Sequence, residues 1–79
     1  MEQSFVLPSE LTKAERYEAL LRQFEARVEG VDDEISVMAN ASAALHEAFG
    51  FFWVGFYRVK GEELVLGPFQ GSVACYRIK

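Results

Sequence analysis

Cysteine, histidine and proline are all scarce in this sequence: one, one and two in 79 residues. A single cysteine excludes an internal disulfide, so no covalent staple holds the fold. The one histidine, His46, has no cysteine or second histidine placed to build a metal site with it, and no metal is expected. Basic residues are also few. Lys and Arg number 8 against 12 Asp and Glu, for a net charge of −4, and they form no run. A nucleic-acid footprint needs clustered positive charge, so that partner class is excluded. Long apolar runs are missing too. Phe51 to Tyr57, the most apolar stretch, is far short of the roughly 20 residues a membrane span needs. The N-terminus "MEQSFVLPSEL" has no basic segment leading into an apolar one, so it does not read as a signal peptide. The expectation is a soluble cytoplasmic protein whose lone thiol stays reduced. The glycines at 61, 67 and 71 are turn glycines and match no phosphate-binding pattern. No repeat or low-complexity segment is present.

What remains is apolar enough to fold. Hydrophobic residues make up 51% and aromatics 14%, too much for a disordered chain. The length allows one domain at most, with a modest core.

Residues 1–11 read as a lead-in containing Pro8. "TKAE" then places Thr12 as an N-cap with Glu15 three residues on, a capping box. Ala14, Tyr17, Leu21, Phe24 and Val28 recur at spacings of three and four, which assigns them to the inner face of a helix that stops near Gly30. Glu18, Arg22, Glu25 and Glu29 take the solvated face. A second helix starts at Asp32 or Asp33 and ends at Gly50. Ile35, Met38, Leu45 and Phe49 form its stripe. The small-residue block from Ala39 to Ala44 permits close packing. Beyond Gly50 the period changes from about 3.6 to 2. "FFWVGFYRVKGEELVLGPF" reads as a hairpin: a strand over Phe52–Val59, a turn at Lys60–Glu62 and a strand from Glu63 to about Leu66. "GPFQG" reads as a turn-rich break, and Ser72–Ile78 as a third extended segment. The order predicts an α+β fold, with two helices packed on an antiparallel sheet. Both faces of the first strand are largely apolar. One can pack on the helices. The other needs a ligand, a covering segment or a partner. The sheet looks incomplete, with bare edges that also permit pairing with a second copy, a homodimer.

Two features carry chemistry. Cys75 is the only thiol. A redox or nucleophilic role requires a thiolate and a cationic neighbour to favour it, and Arg77 lies on the same side of an extended segment. The alternative reading is a small structural cysteine. Trp53 and Tyr57 share a strand face with Gly55 between them. The missing side chain leaves a shallow slot suited to a methyl, a thioether or a small cation. Ordinary core packing accounts for the same pair. Glu62 and Glu63 sit at the turn and form no acid–base pair.

"FFWVGFYRV" followed by "GEELVLGPFQGSVACYRI" closely resembles the first half of the free methionine-(R)-sulfoxide reductases, which are single GAF-domain proteins. The resemblance covers roughly residues 12 to 78. It implies a GAF-like fold, with 12–79 as the N-terminal half of one domain. It further implies reduction of free methionine (R)-sulfoxide by a cysteine set. In that chemistry one thiol attacks the sulfoxide sulfur, a second resolves it as a disulfide, and thioredoxin restores the thiols as an external reductant, with no bound cofactor. By resemblance, Cys75 matches one member of that set, while Trp53 and Tyr57 match the aromatic pair at the substrate's methyl end. The family pattern continues with a glycine-rich segment bearing the second cysteine, and later with a third cysteine and carboxylates. These 79 residues hold none of them, so the chain by itself is expected to be inactive. Lys79 also stands where the family commonly has proline. A different class fits the same slot: a GAF-type sensory module that binds a small molecule without redox chemistry.

Overall fold

The computed structural model describes Phe5 and residues 7–79; the rest of the lead-in read over 1–11 lies outside the described residues. Two helices, α1 (Lys13–Val28) and α2 (Glu34–Phe49), precede three strands, β1 (Val54–Lys60), β2 (Glu63–Gln70) and β3 (Arg77–Ile78). The strands form one antiparallel sheet in the order β1-β2-β3. α2 lies against β1 and β2, and α1 lies against α2.

The helix ends follow from the sequence. Thr12 and Glu15 form the reciprocal capping box, with the Glu15 amide donating to the Thr12 hydroxyl at 3.2 Å and the Thr12 amide to the Glu15 carboxylate at 2.9 Å. Asp33, the second of the two candidate caps, accepts from the amides of Ile35 and Ser36. Gly50 closes α2 in the left-handed conformation, φ 65°, which a residue with a Cβ adopts at a cost.

The inner face of α1 differs from the periodic expectation by one position. Leu20 is 4% exposed whereas Leu21 is 57% exposed, and Ala14 is exposed as well. Tyr17, Phe24 and Val28 keep company with Leu20 at the same spacings, and Tyr17 packs its ring 4.1 Å from that of Phe49. Two adjacent leucines make the sequence pattern ambiguous, and the position of α2 resolves it. In α2 the small-residue block is the point of closest approach. Ser42 is wholly buried, and its hydroxyl lies 2.9 Å from the Met38 carbonyl and 3.3 Å from that of Pro68 in β2. Ala44 is buried as well, while Ile35 at the N-terminal end of the stripe is exposed.

The hairpin turn is tight. Lys60 pairs with Glu63, which leaves Gly61 and Glu62 as the loop, and only Gly61 has a positive φ (64°). That is the pattern of a type II′ turn. Three boundaries differ from the sequence reading. β1 begins at Val54, and Phe52 is 84% exposed outside the strand. "GPFQG" is strand as far as Gln70 rather than a break. Phe56 stands opposite both Gly67 and Pro68, because the ladder shifts between Gly55↔Phe69 and Tyr57↔Leu66. This bulge accommodates a proline that cannot donate to a ladder. The third extended segment pairs with β2 only at Arg77 and Ile78, since residues 72–75 are drawn away from the ladder by contacts described next.

Candidate functional site

Trp53, Tyr57 and Phe69 form one aromatic layer. Trp53 stacks on Phe69 with centroids 5.5 Å apart and planes 16° apart, and on Tyr57 at 6.2 Å and 25°. Alternation along β1 and the pairing Gly55↔Phe69 put these side chains on one sheet face. Gly55 is central to it. A Cβ built there would lie 2.5 Å from both the Phe69 Cβ and the Trp53 Cη2. The indole therefore rests on the Gly55 backbone. The open slot expected between Trp53 and Tyr57 is not empty space at Gly55; Trp53's own ring fills it. Gly71 makes the other half of this seat. Its φ is 131°, and a Cβ there would come 2.8 Å from the Trp53 Cδ1.

The polar tips of the same two aromatics point at the segment that carries the thiol. The Trp53 indole N–H donates to the Ser72 carbonyl at 3.1 Å, and the Tyr57 hydroxyl donates to the Cys75 carbonyl at 2.9 Å. One residue further, the Leu66 amide in β2 donates to the Tyr76 carbonyl at 2.9 Å, and the ladder of β3 follows. The structure thus ties Trp53 and Tyr57 to the backbone of the segment that carries Cys75, three residues that the resemblance also groups. Within these 79 residues Cys75 is an exposed free thiol. The Arg77 guanidinium is engaged by Glu63 at 3.1 Å. This pair also ties β3 to the start of β2.

Residues that the sequence reading passed over contribute to the site. Phe69, within the stretch that reads locally as a turn, is the third ring of the layer. Ser72 supplies a carbonyl, which no side-chain pattern advertises. The aromatic spacing Trp53–Gly55–Tyr57 was the available signal, and the facing strand could be found only through its register. His46 lies in α2, where its carbonyl accepts from the Gly50 amide. Among the described residues no helix is long and apolar enough to cross a membrane.

No family model matches the chain. Individual proteins do. The sequence is 55% identical over 69 residues to GAF domain-containing protein A of Dictyostelium discoideum, covering 86% of this chain and 44% of that protein. It is 44% identical over 69 residues to the free methionine-R-sulfoxide reductase of Escherichia coli, covering 86% of this chain and 42% of the relative. Among solved structures, the free methionine-R-sulfoxide reductase of Neisseria meningitidis in complex with its substrate superposes with a TM-score of 0.84 at 48% identity. That match covers 94% of this chain and 46% of the other. The chain spans less than half the length of the relatives it matches. Over that shared stretch it is similar in sequence and structure to proteins named free methionine-R-sulfoxide reductase, and its helices and sheet match part of a GAF domain.

Proposed function

We propose that this chain supplies part of the site of a reductase that converts free methionine (R)-sulfoxide to methionine. The observation that carries the reading is the hydrogen bond from the Tyr57 hydroxyl to the backbone carbonyl of Cys75, which ties the residue bearing the exposed thiol to the aromatic layer. The Trp53–Tyr57–Phe69 layer offers an apolar, polarisable wall for a methyl and its sulfur. In the proposed chemistry a thiolate attacks the sulfoxide sulfur as the sulfoxide oxygen takes up a proton. The oxygen then passes to the cysteine sulfur as its bond to the methionine sulfur and the transient S–S bond break, leaving methionine and a cysteine sulfenic acid. A second thiol condenses with that sulfenic acid to give a disulfide and water, and an external dithiol reduces the disulfide. Cys75 is one thiol of this set, attacking or resolving. These 79 residues contain no other, so repeated turnover requires thiols from outside them. Thioredoxin is the proposed reductant, and the reducing cytoplasm is the compartment that suits the chemistry.

A chimera tests this. Residues 12–79 replace the matching stretch of the Escherichia coli relative, and thioredoxin-coupled turnover is measured with both epimers. The expected result is reduction of the free (R) epimer and not the (S), with steady turnover abolished by Cys75→Ser. Residues 1–79 by themselves should show no steady turnover. The identity to a protein known by its GAF domain favours a second reading, a small-molecule binding module without redox chemistry. A folded chimera that binds methionine sulfoxide without reducing it would support that reading and overturn the first.

A further inference from the structure

We infer that Trp53 and Tyr57, two rings of the aromatic layer, are positioning residues for the segment that carries the Cys75 thiol. The inference rests on the proposed reductase site and deepens it. Between the last residue of β2, Gln70, and the backbone bond at Tyr76, the chain leaves the ladder. Within that departure two side-chain donors meet the backbone, one at each end of the segment: the indole N–H at Ser72 and the phenol O–H at Cys75. Each donor belongs to a ring of the aromatic layer. Trp53 is further fixed by Gly55 below it and Gly71 beside it, where no Cβ could fit without displacing the indole. Ring position and thiol position are therefore one mechanical unit. A ligand that shifts either ring must shift a carbonyl within three residues of the sulfur, and in the case of Tyr57 the carbonyl of Cys75 itself. The aromatic layer and the segment that carries the thiol are thereby kept in register.

The single cysteine permits a direct test, because a nitroxide can be attached at Cys75 with no other substitution. Tyr57→Phe keeps the ring and removes only the hydroxyl. The nitroxide spectrum should sharpen toward a more mobile label, and exchange of the Leu66 amide, which donates to the Tyr76 carbonyl next along the segment, should accelerate about threefold to tenfold, the factor one net hydrogen bond controls. Tyr76→Phe, on a ring that is 82% exposed, should change neither. Superimposable spectra and exchange for the Tyr57→Phe and unsubstituted chains would overturn the inference. A second measurement holds even if that variant is unstable. In the unsubstituted chain the Trp53 indole N–H should exchange more slowly than free indole, and equal rates would also overturn it. Neither readout involves methionine sulfoxide, so failure here is separable from failure of the reductase reading.

Discussion

Gly55 decides more than its size implies. It lets the Trp53 indole lie flat against the strand and lets Phe69 sit directly opposite, with no space for even a methyl between them. Gly55→Ala should therefore push the indole off its seat. The expected cost is about 1–3 kcal/mol, the usual range for overpacking, read as a lower urea midpoint, together with a red shift of the emission from the single tryptophan. An unchanged midpoint and emission would mean that the ring has another place to rest. Ser42 is the other residue whose smallness is structural. It is the most deeply buried polar side chain described, and α2 meets β2 through its hydroxyl. Both positions were readable as small, but what each makes room for was not.

At the level of elements, α1 begins with a pH-sensitive cap. The Glu15 carboxylate accepts from the Thr12 backbone amide, and this bond, with help from the Thr12 side chain, lowers the Glu15 pKa below the ordinary carboxylate value. A lowered folded-state pKa means that the cap contributes fully above the unfolded value and loses its contribution as the pH falls through the folded one. The N-terminus of α1 should accordingly loosen in acid below the usual glutamate range, seen as faster amide exchange at residues 13–16. Glu15→Gln should remove that pH dependence, because glutamine keeps an acceptor for the Thr12 amide without titrating. Persistence of the same acid response in the glutamine variant would assign it elsewhere. Thr12→Ala should cost about 1 kcal/mol at neutral pH, the usual value of an N-cap. The strands show a different balance. Pro68 and two flanking glycines read locally as a break, yet pairing with β1 carries β2 through to Gln70 by way of a bulge. Local propensity gave way to the ladder.

For the molecule as a whole, the radius of gyration is 14.0 Å, with extents of 42 × 29 × 24 Å. A compact domain of this length would measure about 11–12 Å. The sheet has three strands, one of them only two residues long, so it offers open edges at β1 and β3. Phe52, Val59, Val73 and Tyr76 are large apolar residues left in solvent, with Val73 94% exposed. Bare edges and exposed apolar side chains favour association. Sedimentation of the purified chain should thus depend on concentration, with a weakly cooperative thermal transition. One monomeric species across the accessible range, melting in a single sharp step, would contradict this.

The sequence by itself determined whatever depends on neighbours along the chain. The Thr12 capping box, the helix ends at Gly30 and Gly50, the hairpin turn at Gly61 and the alternation of β1 are short-range consequences of side-chain chemistry and backbone freedom, with the second N-cap narrowed to Asp32 or Asp33. Resemblance along the chain likewise led to the family, since the aromatic and Gly67–Cys75 motifs are contiguous. Tertiary structure decided the rest. It chose Leu20 over Leu21, kept Pro68 within a strand, filled the expected slot with Trp53's ring, and joined Tyr57 to Cys75 across 18 residues. Each of these outcomes depends on a partner distant in sequence, and no local pattern encodes where that partner will stand.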